Sequence, residues 1–488
     1  MSSEVHHRKL LPRGAYALAG MQLFSTIGFA VLWSTLVLYL TQSLKFNDAT
    51  ATGIVATFSA FNYGLHLLGG YFGGRLLSYR KLFVLGVLLQ VVGCLTIARQ
   101  TELQLYWGLA LFLAGSGLNV TCINMMLTQL FEPEDKRREG AFLLNYSSMN
   151  LGFILGFVIA GHYQLTQDFH TLFNYAGYGS AIAIVLAIIN WAKLKDRTTV
   201  FAGLGYKAQF QRSCWALVLM LALVFGLKWL VEHANFSNNL VCIVGIVMLI
   251  VMIVLAFTQP TTLARNKIFA YIVLAIAALS FYVIYQMLPM SLTLFAARNV
   301  DLHFLGYTIA PQWIQNINAG VIIIGGPLLA VWFKRLRDKG IAVSIPLQFS
   351  ISLICTGIGV ALLPIGISMA HNGITSFNWI IVTYVLQSIG ELLLSPIGYA
   401  MIGQLAPARL QGIMMGTWMM VNGVAATLVH YLSNFSLGDI HSVDPIVTNP
   451  AYSYIFNFLG WTALGFGVLL FILIPWLKRL IGESTAAA

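Results

Sequence analysis

Of the sixteen Asp and Glu residues in this 488-residue chain, only Glu391 lies deep inside a long apolar run. Glu102 and Glu232 stand near run ends, no Lys or Arg lies deep, and Lys228 falls close to the end of its run. A charged side chain at the centre of a bilayer costs ~2.5–3.5 kcal/mol on insertion scales, which makes such a group a functional candidate by default. Glu391 has no basic partner inside the apolar runs, and two chemistries suit it. It can be a protonated carboxyl that carries a proton, or a carboxylate whose counter-charge is the amine of a bound solute. The plain alternative is a neutral acid bonded to the next helix. His66, in the middle of the second apolar run, can exchange protons near neutral pH or simply bond across helices. Five scattered cysteines without CxxC spacing read as small core hydrophobes, not disulfides or a metal site. The chain shows no metal-ligand cluster, Walker loop or nucleophile elbow, so neither an enzyme nor a cofactor is expected.

The elements that must hold these residues follow from composition. With 58% hydrophobic and only 9% charged residues, against ~25% charged for a soluble domain, the chain reads as an all-α polytopic membrane protein. At ~20 apolar residues per span, fourteen spans are expected, near 16–41, 51–77, 82–98, 103–131, 141–165, 172–192, 213–231, 241–257, 268–297, 306–333, 341–370, 377–406, 410–432 and 452–477. With the N-terminus inside, alternate loops put 23 of the 27 Lys and Arg on one side. That asymmetry predicts cytoplasmic termini and explains the net charge of +11 without nucleic acid. The start of the chain (His6, His7, Arg8, Lys9) has no cleavable-signal pattern, so no removed leader is expected.

The spans divide as six, two and six: an N-terminal bundle over 1–192, a linker with two extra helices over 193–267, and a C-terminal bundle over 268–488. Weak repetition supports the division. Gly69 to Arg75 follows the second span as Lys334 to Lys339 follows the tenth; Gln129-Leu130-Phe131-Glu132-Pro133 closes the fourth as Gln404-Leu405-Ala406-Pro407 closes the twelfth. Two six-helix halves around a midplane site describe secondary transporters. Pro289 and Pro396 follow Gln286 and Glu391 by three and five residues, and each removes a backbone donor where a helix can kink.

Several motifs carry a resemblance that spans nearly the whole chain. They are Gly115 to Leu118 with Gln129-Leu130-Phe131, Asn145 to Gly152 against a family pattern F-Y-x-x-I-N-x-G, Tyr285-Gln286-Met287 with Ser291-Leu292 and Leu294-Phe295-Ala296, Gln315-Asn316-Ile317-Asn318, and Leu386 to Glu391 with Ser395-Pro396. The sequence thus resembles the proton-dependent oligopeptide transporters of the major facilitator superfamily, especially bacterial dipeptide permeases. The resemblance implies proton symport of di- or tripeptides across the bacterial inner (cytoplasmic) membrane, and a midplane cavity lined by the first, second, fourth, fifth, seventh, eighth and tenth core helices. It implies a substrate site of Glu391, Tyr63, Asn150, Asn318 and Ser395, with Gln286, Trp33 and Phe29 at changed positions. Glu391 is there the amine site, and Glu391 and His66 are the candidates for proton coupling. The expected partners are a small peptide-like solute, protons and the lipid bilayer, with a monomeric chain.

The departures bear on function. Where the family's first helix carries E-x-x-E-R, an aromatic pair and a second Arg, this chain reads Gln22, Ser25 and Thr26, then Phe29 and Ala30, then Trp33. Val120 replaces the family's fourth-helix Lys, Gln286 its seventh-helix acid, and Gly74 the Asp of the loop after the second span. A peptide carboxylate therefore has no strong anchor, and the expected substrate carries an amine or neutral polar groups held by Glu391. Two other readings stay open: a transporter of an unrelated metabolite or drug, and a sensor that kept the fold without transport.

Overall fold

The computed structural model describes residues 11–132, 135, 137–197, 199–304, 306–340, 343–437 and 442–482. The basic cluster at the start of the chain and Lys136 lie outside them. Long helices dominate because the apolar runs have no water to satisfy a bare backbone, so every N–H and C=O must close within its own segment. The first six are α1 (Arg13–Leu38), α2 (Asp48–Phe72), α3 (Tyr79–Ile97), α4 (Glu102–Thr128), α5 (Arg137–Leu165) and α6 (Phe169–Ile189). They are followed by α7 (Tyr206–Glu232) and α8 (Ala234–Phe257). The remainder are α9 (Thr262–Met287), α10 (Ser291–Asn299), α11 (Pro311–Asp338), α12 (Ile345–Ala361), α13 (Leu363–Ser368), α14 (Phe377–Leu405), α15 (Gln411–Leu437) and α16 (Pro445–Ile481). Side-chain caps start many of them: Asn47, Thr101, Asp168, Thr261 and Asp444 each accept an orphan N–H of the first turn.

Among the described residues, thirteen helical segments are long and apolar enough to cross a membrane. The second expected span, α2, has the length at 25 residues, but Asn62, Tyr63 and His66 dilute its apolar content. Two expected spans are interrupted. The run 268–297 breaks after Met287, where Pro289 supplies no N–H and Thr293 Oγ caps the freed carbonyl of Leu288 at 2.5 Å. The run 341–370 divides at Leu362, with Pro364 opening the short α13. Pro396, by contrast, sits inside a continuous α14.

Packing is closest where glycines let helices touch. A Cβ on Gly115 of α4 would lie 2.1 Å from the carbonyl oxygen of Gly86 on α3. The first six helices pack chiefly on one another, and α9 to α16 do the same. α7 leans on α4, while α8 touches α2, α9 and α15 and turns Ile243, Ile246, Val247 and Ile250 outward. The first six helices and α9–α16 meet at the end away from the basic loops. There Arg298 of α10 grips Asp48 of α2 with two bonds (2.5 and 2.9 Å), and Trp313 Nε1 of α11 donates to the Val158 carbonyl of α5 at 3.0 Å. His430 of α15 is 2% exposed and lies 3.1 Å from Thr52 Oγ1 of α2. The bare backbone at Gly53 leaves room for its ring. At the same end two short pairings, β1 (Val300–Asp301) with β4 (Thr375–Ser376) and β2 (His303–Phe304) with β3 (Tyr307–Thr308), tie down the loops.

Candidate functional site

A cavity of about 480 Å³ lies between the two sets of helices, walled by α1, α2, α4, α5, α9, α11 and α14, with Gln90 of α3 and two residues of α15 completing it. Tyr146 and Tyr399, toward the basic end, line it and are 47% and 46% exposed. Trp33, Phe157 and Leu288, toward the other end, line it and are buried. The cavity therefore opens at the end that carries the basic loops and is shut at the end where Asp48 meets Arg298.

Glu391 is brought into the wall by α14 and is the one acid among the lining residues, which include no Lys or Arg. Asn318, one helix away on α11, directs its amide nitrogen to Glu391 Oε2 at 2.8 Å and to Ser388 Oγ at 3.0 Å. Ser388 is itself fixed by donating to the Tyr384 carbonyl at 2.6 Å. A charge-assisted bond of this kind orients the carboxylate and leaves its second oxygen for another partner. The phenols of Tyr63, Tyr146 and Tyr285 lie close enough to interact with its charge. An aromatic wall runs on from Tyr285: Phe29 sits 5.7 Å from Trp33 and 6.1 Å from Phe153, and Trp33 sits 6.3 Å from Tyr285. A carboxylate beside aromatic faces is suited to an ammonium group.

The changed first-helix positions form a neutral network. Gln22 Nε2 donates to Thr26 Oγ at 3.0 Å and its carbonyl takes the Asn145 amide at 3.5 Å. Nearby, Ser116 donates to Asn62 Oδ1 at 2.8 Å and Asn119 to Gln90 at 3.0 Å. Amides and hydroxyls bonded across helices in this way hold them together without any net charge, although the Asn119 and Asn145 oxygens have no hydrogen-bond partner.

The structure brings eight of the nine expected site residues to the cavity: Phe29, Trp33, Tyr63, His66, Asn150, Asn318, Glu391 and Ser395. Gln286 is not among them. It is fully buried beside the Tyr63 hydroxyl, and both of its amide atoms lack a hydrogen bond that meets normal geometry. Asn150 gives one N–H of its amide to the Tyr146 carbonyl at 2.9 Å, and its oxygen is free to accept. His66 meets Tyr63 edge to face at 6.2 Å. Among the described residues no His, Cys, Asp and Glu side chains gather in a group able to hold a metal ion. The reading from residues missed Asn62, Tyr146, Tyr282 and Tyr399. Tyr146 had a signal, since it precedes Asn150 by one helical turn and shares its face.

The model of the POT family matches residues 80–439. The chain belongs to the POT family. Dipeptide and tripeptide permease A of Cronobacter turicensis is 29% identical over 97% of this chain and 94% of its own length. Dipeptide and tripeptide permease B of Salmonella typhimurium is 28% identical over 96% of each. Among solved structures, a peptide transporter POT in complex with sulfate has a TM-score of 0.84 at 24% identity, with 96% of both chains covered. A POT family transporter in complex with 5-aminolevulinic acid has a TM-score of 0.81 at 22% identity, with 96% of this chain and 97% of that one covered. This POT family member thus has the major facilitator fold and is a multi-pass membrane protein.

Proposed function

We propose that this chain is a secondary transporter that takes up di- or tripeptides, or peptide-like solutes bearing an amine, by alternating access across a bacterial inner membrane. Bundles 1–192 and 268–488 rock about the cavity, with 193–267 as linker, in a 6 + 2 + 6 arrangement whose termini are cytoplasmic. The opening toward the basic end is then an inward-facing state, and Asp48, Arg298, Thr52 and His430 close the outer side. Glu391 binds the substrate amine, Asn318 aims it, and the aromatic wall covers the solute's apolar body. Protons are the coupling ion, carried by Glu391 or His66, and the chain works as a monomer. The observation that supports this most is a single carboxylate, oriented by Asn318, in a closed-ended cavity between two helical bundles.

The test is uptake of a labelled dipeptide and of its C-terminal amide into liposomes holding the purified protein, with and without an inward proton gradient. Uptake of at least one, driven by the gradient and lost in Glu391→Gln, is the expected result. Absence of uptake of both by the unaltered protein refutes the proposal.

A further inference from the structure

Building on that reading, we infer that the cavity selects amines without a free carboxylate, such as dipeptide amides and esters, over zwitterionic dipeptides. The inference rests on the inventory of the wall. A bound zwitterion brings two charges into a cavity closed at one end and walled by protein, and each is favoured by a partner there. Its ammonium has Glu391. Its carboxylate has none: the lining residues beyond Glu391 are amides, hydroxyls, phenols, aliphatic and aromatic side chains, and His66. The cationic side chains at the closed end are not among the lining residues, and Arg298 is held by Asp48 through two bonds. Those at the basic end, such as Arg80 on the Trp191 ring, face the loops.

Polar groups of the wall other than Glu391 suit a neutral terminus. Asn62 accepts from Ser116, which leaves its amide nitrogen to donate to a ligand carbonyl. Asn150 gives one of its two N–H donors to the Tyr146 carbonyl, and its oxygen is left to accept from a ligand N–H. A carboxamide supplies both a C=O and an N–H. A carboxylate can only accept, so it gives the Asn150 oxygen no donor. His66 is the one lining side chain able to carry a positive charge. Apart from Glu391, the other titratable groups facing the cavity are the phenols of Tyr63, Tyr146, Tyr282, Tyr285, Tyr384 and Tyr399, none of which supplies positive charge.

The experiment is a charge panel on one scaffold, read as binding to the full-length protein in nanodiscs near neutral pH. The four probes are Ala-Phe, Ala-Phe amide, N-acetyl-Ala-Phe and N-acetyl-Ala-Phe amide. The amide should bind about tenfold or more tighter than the zwitterion, a difference of ~1.4 kcal/mol, and the N-acetyl acid should bind weakest. A zwitterion that binds as tightly as the amide overturns the inference and leaves the transport reading intact. Failure of all four to bind overturns both. The same ranking with His66→Gln shows that the imidazole does not serve as the missing cation; a zwitterion preference that depends on His66 overturns the inference.

Discussion

Asp48 and Arg298 make the clearest quantitative prediction. They join α2 to α10 through a bidentate pair, with the carboxylate side chain 33% and the guanidinium side chain 18% exposed. Fully exposed ion pairs are worth ~0–1 kcal/mol, and breaking a buried one costs ~3–5 kcal/mol. A two-bond pair that is mostly but not wholly shielded falls between, at about 2 kcal/mol. If that energy holds the outer end shut, its loss raises the outward-open population by a factor of ~30 while that state remains minor. A cysteine at Thr52, which is 2% exposed beneath His430, reports the opening in a background without the five native cysteines. The rate of modification by a membrane-impermeant thiol reagent added from outside should rise ~30-fold in Asp48→Asn and in Arg298→Gln, in the regime where opening is fast and limited by population. The double variant should be no faster than either single one, because the second change removes nothing further. Unchanged rates in both single variants, or a double variant equal to the product of the two, refutes the assignment of this pair as an outer latch.

Two further predictions concern stability. Gly115→Ala sets a Cβ 2.1 Å from the Gly86 carbonyl oxygen, so α3 and α4 must part at a cost of ~1–3 kcal/mol. Gly226→Ala on α7 meets no atom within 4 Å and should gain up to ~1 kcal/mol of helix preference; opposite shifts of the thermal midpoint in detergent check both. Asp196, in the loop after α6, accepts the Tyr79 N–H with both oxygens (3.1 and 3.2 Å), yet its burial pushes the carboxyl above the ordinary aspartate range despite those bonds. A folded-state value above the unfolded one contributes stability below the unfolded pKa and loses it as pH rises through the folded one. Thermal midpoints should therefore decline across the interval just above the usual aspartate range, and Asp196→Asn should flatten that decline.

The boundary between what was legible and what was not runs through particular residues. Glu391 was legible because an acid in an apolar run stands out without any alignment, and the membrane class followed from composition alone. The helices at the edges of the expected spans were longer than their apolar cores, as α8 shows by starting at Ala234, because polar first turns still hydrogen-bond as helix. The fates of Gln286 and His430 were not legible. Gln286 neighbours Tyr285 in sequence, but a rotation of 100° per residue carries it behind the cavity wall while Tyr285 faces in. His430 lies near a helix end, which alone suggests water; only the approach of Gly53 and Thr52 from α2 buries it. Likewise, sequence spacing could not reveal that Asn318 would orient Glu391, since the two stand 73 positions apart and meet only when α11 packs on α14.

Local chemistry, then, determined the apolar helices, the asymmetry of the basic loops and the presence of one expensive acid. Those depend on each residue's own transfer energy and backbone limits. Tertiary packing decided which neutral side chains face that acid, which end of the cavity is shut and which histidine serves as an interhelical contact. Those depend on how helices far apart in sequence rotate and cross, and no residue's own preferences specify that rotation.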